Sequence, residues 1–246
     1  MMKTYLPVSI CMAYYNRFEL LKNTIESIIS KDFLPNEIVI VDDASFEKLT
    51  FEHLHDVLFG LDVNVNIYNF TKEEKTWINP VIAFNKAVSL AKNEVIIIQN
   101  PECYHKTNIV KKYKNIHKKE YVSMACYSLS NLESPFSEIE YNNYSATFDG
   151  ESAWYNHSLY RPKYYHFCSM LYKEDFVSFG GFNVDMQNGI GYDDDALIYD
   201  LQTNGVSLYI DDSEIVYHQY HSISHNQDQT LIDRNRKIYY SMMESK

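Results

Sequence analysis

Two polar patches near the N-terminus have the residue types needed to hold a nucleoside. Tyr14-Tyr15-Asn16-Arg17 follows one short apolar run, and Asp42-Asp43 ends the next one. A carboxylate accepts hydrogen bonds from a base imide or a ribose hydroxyl, and an aromatic ring offers a flat face to a base. Binding of a base and ribose is therefore one interpretation, and a capped helix with a solvated turn is the other.

A third polar stretch, Gln99 to His105, has the residue types of a cation site. Glu102 and His105 could reach one divalent cation, because Mg²⁺ usually binds one or two carboxylates together with water and substrate phosphates. Strands also commonly end in a polar turn. On these residues alone, both interpretations stay open.

Three histidines follow an apolar run in the last part of the chain, at His218, His221 and His225. Histidines in such a pattern can bind zinc, but no cysteine lies nearby and the spacing is not a standard zinc signature. One imidazole that joins a cation held elsewhere is therefore favoured over a complete histidine site.

Three consecutive acids, Asp193-Asp194-Asp195, lie where a helix is expected to begin. The helix dipole stabilises negative charge at this position, which accounts for two of them. Three acids are more than capping requires. If one carboxylate faces a ligand crevice, it could deprotonate an acceptor hydroxyl as a general base.

Alternating strand and helix patterns in the first hundred residues predict how these groups are positioned. Apolar runs predict four strands, at Val8 to Tyr14, Glu37 to Val41, Val63 to Ile67 and Val95 to Ile98. Between them, helical spacing predicts one helix capped by Asn16 and another from Val81 to Ala91. This order is typical of a parallel sheet, in which ligands bind beyond the carboxyl ends of the strands.

The second half has a less regular pattern. Ser130 to Tyr165 is polar and aromatic, and we interpret it as a long functional loop region with no core of its own. A helix is expected from Asp193 to Leu201, ended by Asn204-Gly205, followed by two short strands at Val206 to Ile210 and Ile215 to Tyr217. The polar tail from Ser222 to Lys246 is expected to pack only peripherally.

The composition limits the classes of function. The chain has 246 residues, of which 46% are hydrophobic, and a net charge of −11. One α/β domain is therefore expected, and a non-specific nucleic-acid binder is excluded, since it needs clustered Lys and Arg. The four cysteines include no Cys-Xaa-Xaa-Cys pair, which indicates free thiols.

No run approaches the ~18 apolar residues of a membrane span, and no cleavable leader is recognisable, so we expect a cytoplasmic protein. A lysine-rich run from Lys106 to Lys119 is interpreted as a solvated face. A weak electrostatic contact with a membrane is the alternative.

Taken together, the ordered motifs resemble the inverting glycosyltransferases of family two, which have the GT-A fold. The resemblance begins at Val8 to Arg17 and Glu37 to Ser45, where that family holds the nucleoside with paired acids, and extends to about Tyr220. It implies a mixed, mostly parallel sheet flanked by helices. Asn79 and Asn85 lie where the family has an asparagine-rich helix.

The same resemblance assigns the cation and the base. Asn100-Pro101-Glu102 falls on the family's Asp-Xaa-Asp motif as a Gln-Asn-Pro-Glu variant, which removes one charge and leaves Glu102 as the direct ligand. His218 falls where related enzymes place a metal-ligating histidine. Gly180 to Asn183 and Gly191 to Asp195 resemble acceptor-side motifs, with Asp194 as the catalytic base and Asp193 as an acceptor-binding acid.

The resemblance therefore implies a Mn²⁺ or Mg²⁺ ion on Glu102 and His218, a nucleoside diphosphate sugar as donor, expected to be a UDP-sugar, and a carbohydrate or other hydroxyl as acceptor. Donor contacts are expected from Ala13, Tyr14, Tyr15, Asn16, Arg17, Asp42, Asp43, Trp77, Asn79, Asn85, Gln99 and Asn100. Acceptor contacts are expected from Trp154, His157, Gly181 and Asp193. Trp77, Trp154, Tyr155 and His157 could line the sugar or acceptor side, and an aromatic core or rim is the alternative interpretation.

The catalytic domain is expected to span residues 1–221, with a donor half at 1–105, an acceptor half at 106–221 and an extension at 222–246. Two other functions fit less well. A sugar nucleotidyltransferase would need a Gly-rich triphosphate loop bearing Lys or Arg, which does not follow the first strand. A catalytically silent carbohydrate- or nucleotide-binding protein is suggested by the altered metal motif and the acidic composition.

Overall fold

One sheet runs through the chain and joins its two halves. The computed structural model describes residues 6–112, 116–130, 139–145, 152–222 and 228–244. In these ranges the strands are β1 (Val8–Tyr14), β2 (Glu37–Asp42), β3 (Asn64–Asn69), β4 (Val95–Gln99), β5 (Cys103–His105), β6 (Glu120–Ser128), β7 (Ala153–Asn156), β8 (Cys168–Tyr172) and β9 (Ser207–His218).

Helices cover both faces of this sheet. They are α1 (Phe18–Ile29), α2 (Phe51–Leu58), α3 (Val81–Leu90), α4 (Ile109–Lys112), α5 (Lys173–Ser178), α6 (Asp193–Thr203) and α7 (Gln229–Glu244), with a short 3-10 helix at Val184–Asn188 before α6. All four strands predicted for the first hundred residues are present, as are both helices. The α/β fold class expected from the sequence is confirmed.

The strand order is β3-β2-β1-β4-β8-β6-β9-β5, with β7 paired to β6. β1, β2, β3 and β4 are parallel to one another. β8 is antiparallel to both β4 and β6, and β9 is parallel to β6, so β9 runs in the same direction as β1 and β4. The carboxyl ends of β1, β2, β4 and β9 therefore meet at one edge of the sheet.

Alternate residues of the central strands enter two apolar clusters. Ile10 and Met12 of β1 face α1 and α2 in the first cluster, while Cys11 faces α3 and α6 in the second. This alternation follows from the two-residue period of a strand. Because both faces are covered, the strands appear in the sequence as continuous apolar runs.

The expectation that Ser130 to Tyr165 contains no packed core is wrong for its described part. β7 pairs with β6, and Trp154 of β7 joins a third apolar cluster with Tyr127 and Tyr217. The sequence pattern did not predict this packing because Tyr and Trp occur in a rim, a loop or a core alike. Residues 131–138 and 146–151 lie outside the described ranges.

Two other sequence expectations need correction. The predicted strands at Val206 to Ile210 and Ile215 to Tyr217 are one strand, β9, whose pairing with β6 shifts register between Asp211 and Ile215. The extra polar residues at that bulge interrupt the apolar pattern without ending the strand. The tail forms α7, which packs on the 3-10 helix and α6, with Asn235 fully buried and bonded to the carbonyl oxygens of Met186 and Gly191.

Gly181 is expected to be intolerant of any side chain. Its φ is +77°, and an added Cβ would lie 2.5 Å from Asn85 Oδ1 and 2.7 Å from Phe176 Cε1. Gly181→Ala should lower the free energy of unfolding by about 2–4 kcal/mol, combining left-handed strain with overpacking. Gly180→Ala is the matched control, since its φ is +96° with nothing within 4 Å, and should cost only about 1–2 kcal/mol. Equal losses in chemical denaturation would contradict this account.

Candidate functional site

Three side chains converge beyond the carboxyl ends of β4 and β9. Glu102 follows β4, His218 ends β9, and His221 lies three residues further on; one ligand atom from each lies within 4.8 Å of the others. β5 holds the two segments together, because Cys103 is paired in register with His218. Glu102 Oε1 lies 3.4 Å from His218 Nε2 and 3.5 Å from His221 Nε2.

This set fits a divalent cation. Eight buried side-chain atoms of the described residues have no hydrogen-bond partner, and two of them, Glu102 Oε2 and His221 Nε2, belong to this cluster. The 3.5 Å approach of His221 Nε2 to Glu102 Oε1 is an ion-pair contact and not a hydrogen bond. Buried polar atoms are nearly always satisfied, so orphaned ligand atoms in one cluster indicate a missing partner. Burial would raise the pKa of Glu102, but His218, His221 and Arg17 outweigh it and hold that pKa well below its usual range. The carboxylate is therefore ionised and able to bind a cation.

His105 is not part of this cluster, contrary to the interpretation that paired it with Glu102. Its Nε2 lies 2.6 Å from Gln99 Oε1, and Gln99 donates to the carbonyl oxygen of Cys103. Gln99 and His105 are fully buried, and burial lowers the pKa of His105 to about 3. Both side chains are structural, so the expected donor contact of Gln99 is not supported.

Gln219 holds the segment between the two histidines. It is buried, and its amide nitrogen donates to Leu20 O, Thr24 Oγ1 and Glu102 O, while its oxygen accepts from Asn23. Helix α1 therefore fixes the loop that carries His221. His225 lies outside the described residues.

The two acids after β2 have different roles. Asp42 accepts backbone N–H groups from Ser45 and Leu49, both at 2.9 Å, so it shapes the loop and is not directed at a ligand. Asp43 instead accepts from Lys75 Nζ and Trp77 Nε1, each at 2.7 Å. Burial raises the pKa of Asp43, and these two donors partly oppose the shift.

The residues after β1 divide in the same way. Tyr14 is buried in the first cluster, where burial raises its pKa to about 12, and Ala13 is buried in the second. Tyr15 is 42% exposed and carries Lys75 Nζ 4.3 Å above its ring centroid. The sequence predicts that Asn16 caps α1, and this is wrong. The φ of Asn16 is +54°, its N–H donates to Ser45 Oγ, and its Oδ1 accepts from Phe46 N.

Each of the three acids that begin α6 has its own partner. Asp193 accepts from Asn79 Nδ2 at 2.9 Å, and Asp195 accepts from the Tyr165 hydroxyl at 3.0 Å. Asp194 Oδ1 lies 2.5 Å from His166 Nδ1. Burial raises the pKa of Asp193, and the neighbouring Asp194 raises it further. The helix start thus holds each carboxylate in a fixed direction.

His166 is buried between Phe84 and Phe182 and forms an ion pair with Asp194. Burial alone would lower the pKa of His166, but Asp194, with further contributions from Asp193 and Glu102, outweighs it and the pKa is raised. Since an unfolded histidine titrates near ~6.5, the stabilisation from this pair is fully present below that pH. It is lost as the pH rises through the raised value.

NMR titration of the His166 ring should therefore give a pKa above ~6.5 in the native chain. In Asp194→Asn the pKa should fall below ~6.5, because burial remains while the partner charge is removed. Asp195→Asn is the matched control, since Asp195 bonds to Tyr165 and not to His166, and should leave the value raised. A His166 pKa that does not respond to Asp194→Asn would contradict the pairing.

Several other sequence candidates have structural contacts. Asn85 donates to Phe182 O and accepts from Phe182 N, so it clamps the Gly-Gly-Phe turn. Trp154 is 3% exposed and donates to Asn142 O, and the His157 ring packs on it at 4.4 Å. Trp154 thus belongs to the third cluster and the His157 ring packs against it, so the expected acceptor role of these two residues gains no support.

Three sequence candidates remain, Tyr155, Asn100 and Gly181. Tyr155 follows Trp154 in β7 and therefore lies on the opposite face of the strand. Its ring centroid is 5.1 Å from that of His218. Asn100, partly buried, donates its backbone N–H to Phe167 and accepts from Cys103. Gly181 contributes close packing against Asn85 and no side chain.

Three of the lysines after β5 form ion pairs within the described part of the chain. Lys112 pairs with Asp211 and Glu214, and Lys118 and Lys119 pair with acids of α5. These ion pairs weaken the case for an electrostatic membrane contact. No described helix combines the length and apolarity needed to cross a bilayer.

Sequence reasoning missed His166 as a partner of Asp194 and did not commit to His221 as a ligand. His221 had a signal, the three-residue spacing from His218. His166 had none, because 28 residues separate it from Asp194.

The family model of glycosyl transferase family 2 matches residues 9–176. No curated protein sequence matches the chain significantly. A mannosyltransferase from Pyrobaculum calidifontis in complex with GDP-Man and Mn²⁺ is similar in structure, with 14% identity, a TM-score of 0.65, and coverage of 99% of this chain and 66% of that one.

Two other solved structures are similar at 14% identity. S. aureus TarS in complex with UDP-GlcNAc has a TM-score of 0.66 over 95% of this chain and 65% of its own. GalNAc-T7 with UDP, GalNAc and Mn²⁺ has a TM-score of 0.67 over 96% of this chain and 48% of its own. The chain thus spans 48–66% of the length of these three structures, and the likeness is one of fold.

Proposed function

Because the chain belongs to glycosyl transferase family 2, we propose that it transfers a sugar from a nucleoside diphosphate donor to an acceptor hydroxyl with inversion at the anomeric carbon. Inversion needs one base on the acceptor side and a stabilised leaving group on the other. The arrangement of Asp194 and of Glu102 with two histidines supports both requirements. Residues 1–105 would bind the donor and residues 106–221 the acceptor.

The observation that carries the proposal is the cluster of Glu102, His218 and His221 with its two orphaned buried atoms. These residues would hold Mn²⁺ or Mg²⁺. A cation there would supply charge neutralisation for the departing diphosphate. One carboxylate and two imidazoles leave room for phosphate oxygens and water in the coordination sphere.

Asp194 is the proposed general base. Its side chain is 26% exposed, so an acceptor hydroxyl can reach it, and His166 orients the carboxylate through Oδ1. Asp194 would take the proton of the acceptor hydroxyl as its oxygen attacks the anomeric carbon. Asp193, held by Asn79, would accept a hydrogen bond from a neighbouring acceptor hydroxyl.

Asp43, Trp77 and Tyr15 are the proposed nucleoside contacts. Asp43 is the acid after β2 that does not shape the loop, and the exposed Tyr15 ring lies near the same Lys75. A nucleoside could take over the hydrogen bonds that Lys75 and Trp77 now make. Uridine is proposed because a carboxylate can accept from the uracil imide or a ribose hydroxyl.

A donor-hydrolysis screen tests the proposal. The chain is incubated with UDP- and GDP-sugars and Mn²⁺, and release of the nucleoside diphosphate is measured with and without EDTA. We expect metal-dependent release of UDP from at least one donor. Binding of nucleotides without any release would favour a silent binding protein, and pyrophosphate release from a nucleoside triphosphate and a sugar phosphate would favour a nucleotidyltransferase.

A further inference from the structure

A positively charged side chain, Arg17, lies against the proposed cation ligands, which is unexpected for a simple cation site. Its Nη1 lies 3.0 Å from Glu102 Oε1, the same oxygen that faces His218 and His221. One carboxylate oxygen therefore carries a guanidinium as well as two imidazoles. A permanent positive charge lies within contact distance of the proposed cation ligands.

This charge is useful when the cation is absent. Glu102 is 5% exposed, and a buried carboxylate is strongly destabilising unless it is paired. The guanidinium of Arg17 therefore neutralises Glu102 while the site is empty. Arg17 also pairs with Glu102 Oε1, an oxygen that could otherwise coordinate the cation.

The same charge opposes a cation that arrives alone. A divalent ion on Glu102 would lie a few ångströms from the guanidinium, in a site shielded from water where charges interact strongly. Binding of the ion would therefore have to displace Arg17 or overcome its repulsion. Either way, the affinity of the site for the free ion is reduced.

A diphosphate removes the conflict. The Arg17 side chain is 25% exposed and lies at the start of α1, directly after β1, so it can turn towards a ligand at the sheet edge. A planar guanidinium binds phosphate oxygens with two parallel hydrogen bonds. Once a diphosphate supplies negative charge, Arg17 and the cation are both stabilised by the same anion.

We propose that Arg17 makes cation binding and diphosphate binding interdependent, pairing with Glu102 in the empty site and with the donor diphosphate in the loaded one. The inference rests on the proposed function and adds a coupling residue to it. Each ligand then raises the affinity for the other by the same factor, as linkage requires. The free ion is bound weakly, and the ion with its nucleotide tightly.

Calorimetry with Mn²⁺ and UDP, and with GDP in parallel, tests this coupling on the full chain. In Arg17→Met we expect the affinity for Mn²⁺ alone to rise about tenfold and the affinity of the Mn²⁺-loaded chain for UDP to fall about tenfold, within the usual range of coupling factors. The two changes have opposite signs, which neither misfolding nor general loss of the site would produce.

Two variants control for charge and shape. Arg17→Lys keeps the charge and should leave the affinity for Mn²⁺ alone near the native value. Lys118→Met removes one charge from an exposed pair with Glu174 and should change neither affinity. Circular dichroism and a thermal midpoint confirm that each variant is folded.

The outcomes separate the inference from the function it rests on. Native chain that binds no Mn²⁺ even with UDP and GDP would overturn the proposed metal site itself. If the native chain binds Mn²⁺ and Arg17→Met shows the same coupling factor between Mn²⁺ and UDP, only the role of Arg17 would be overturned. A lower Mn²⁺ affinity in folded Arg17→Met would overturn it as well.

Discussion

Asp194→Asn is expected to lower turnover by about 10²–10⁴-fold while donor binding stays nearly unchanged, the usual size of a general-base effect. That range corresponds to ~3–5 kcal/mol of lost transition-state stabilisation. The amide keeps the shape of the side chain and can still contact His166, but it cannot accept the acceptor proton. Steady-state kinetics with a donor found by the hydrolysis screen, together with calorimetry for UDP, measure both quantities.

Asp195→Asn is the matched control for this change. It makes the same Asp-to-Asn change at the next residue of the same helix turn. The hydrogen bond that it affects is the one from the Tyr165 hydroxyl to Asp195. Its turnover should remain within about tenfold of the native value, because a group that only orients is worth less than the base itself. If the two variants lost activity equally, or if Asp194→Asn stayed fully active, the base would have to be sought elsewhere.

The parallel half of the fold could be predicted from the sequence because its strands are buried on both faces. Such strands appear as short apolar runs, and the polar residues that follow them must lie at the carboxyl edge. This reasoning placed Glu102 and Asp43 correctly at that edge. It extended less well to β9, where polar residues at a bulge divided one strand into two patterns.

The direction of individual side chains could not be predicted. Asp42 and Asp43 are identical in type and adjacent, yet one closes its own loop and the other faces Lys75 and Trp77. Glu102 and His105 lie three residues apart in one polar stretch, but His105 turns into the core beside Gln99. Which way a side chain faces depends on packing partners far away in the chain, and a local pattern does not contain them.

Loss of the cation site is the second large effect we expect. Glu102→Gln should weaken Mn²⁺ binding in the presence of UDP by at least about 100-fold, since even outer partners of metal ligands are worth ~10–100-fold. His218→Ala and His221→Ala should each weaken it comparably, because both Nε2 atoms lie at nearly the same distance from Glu102 Oε1. Turnover should fall with metal affinity, and EDTA should abolish it in the native chain until Mn²⁺ is added back.

The comparison between the two histidines is the sharper part of this prediction. The sequence motif assigned only His218, whereas the structure adds His221, whose Nε2 is one of the orphaned buried atoms. His55→Gln, an exposed histidine on α2, controls for general loss of imidazole and should leave metal binding unchanged. If His221→Ala bound Mn²⁺ as tightly as the native chain while His218→Ala did not, the cation would be held by Glu102 and His218 alone. The orphaned nitrogen of His221 would then need another explanation, such as a hydrogen bond to a phosphate oxygen of the donor.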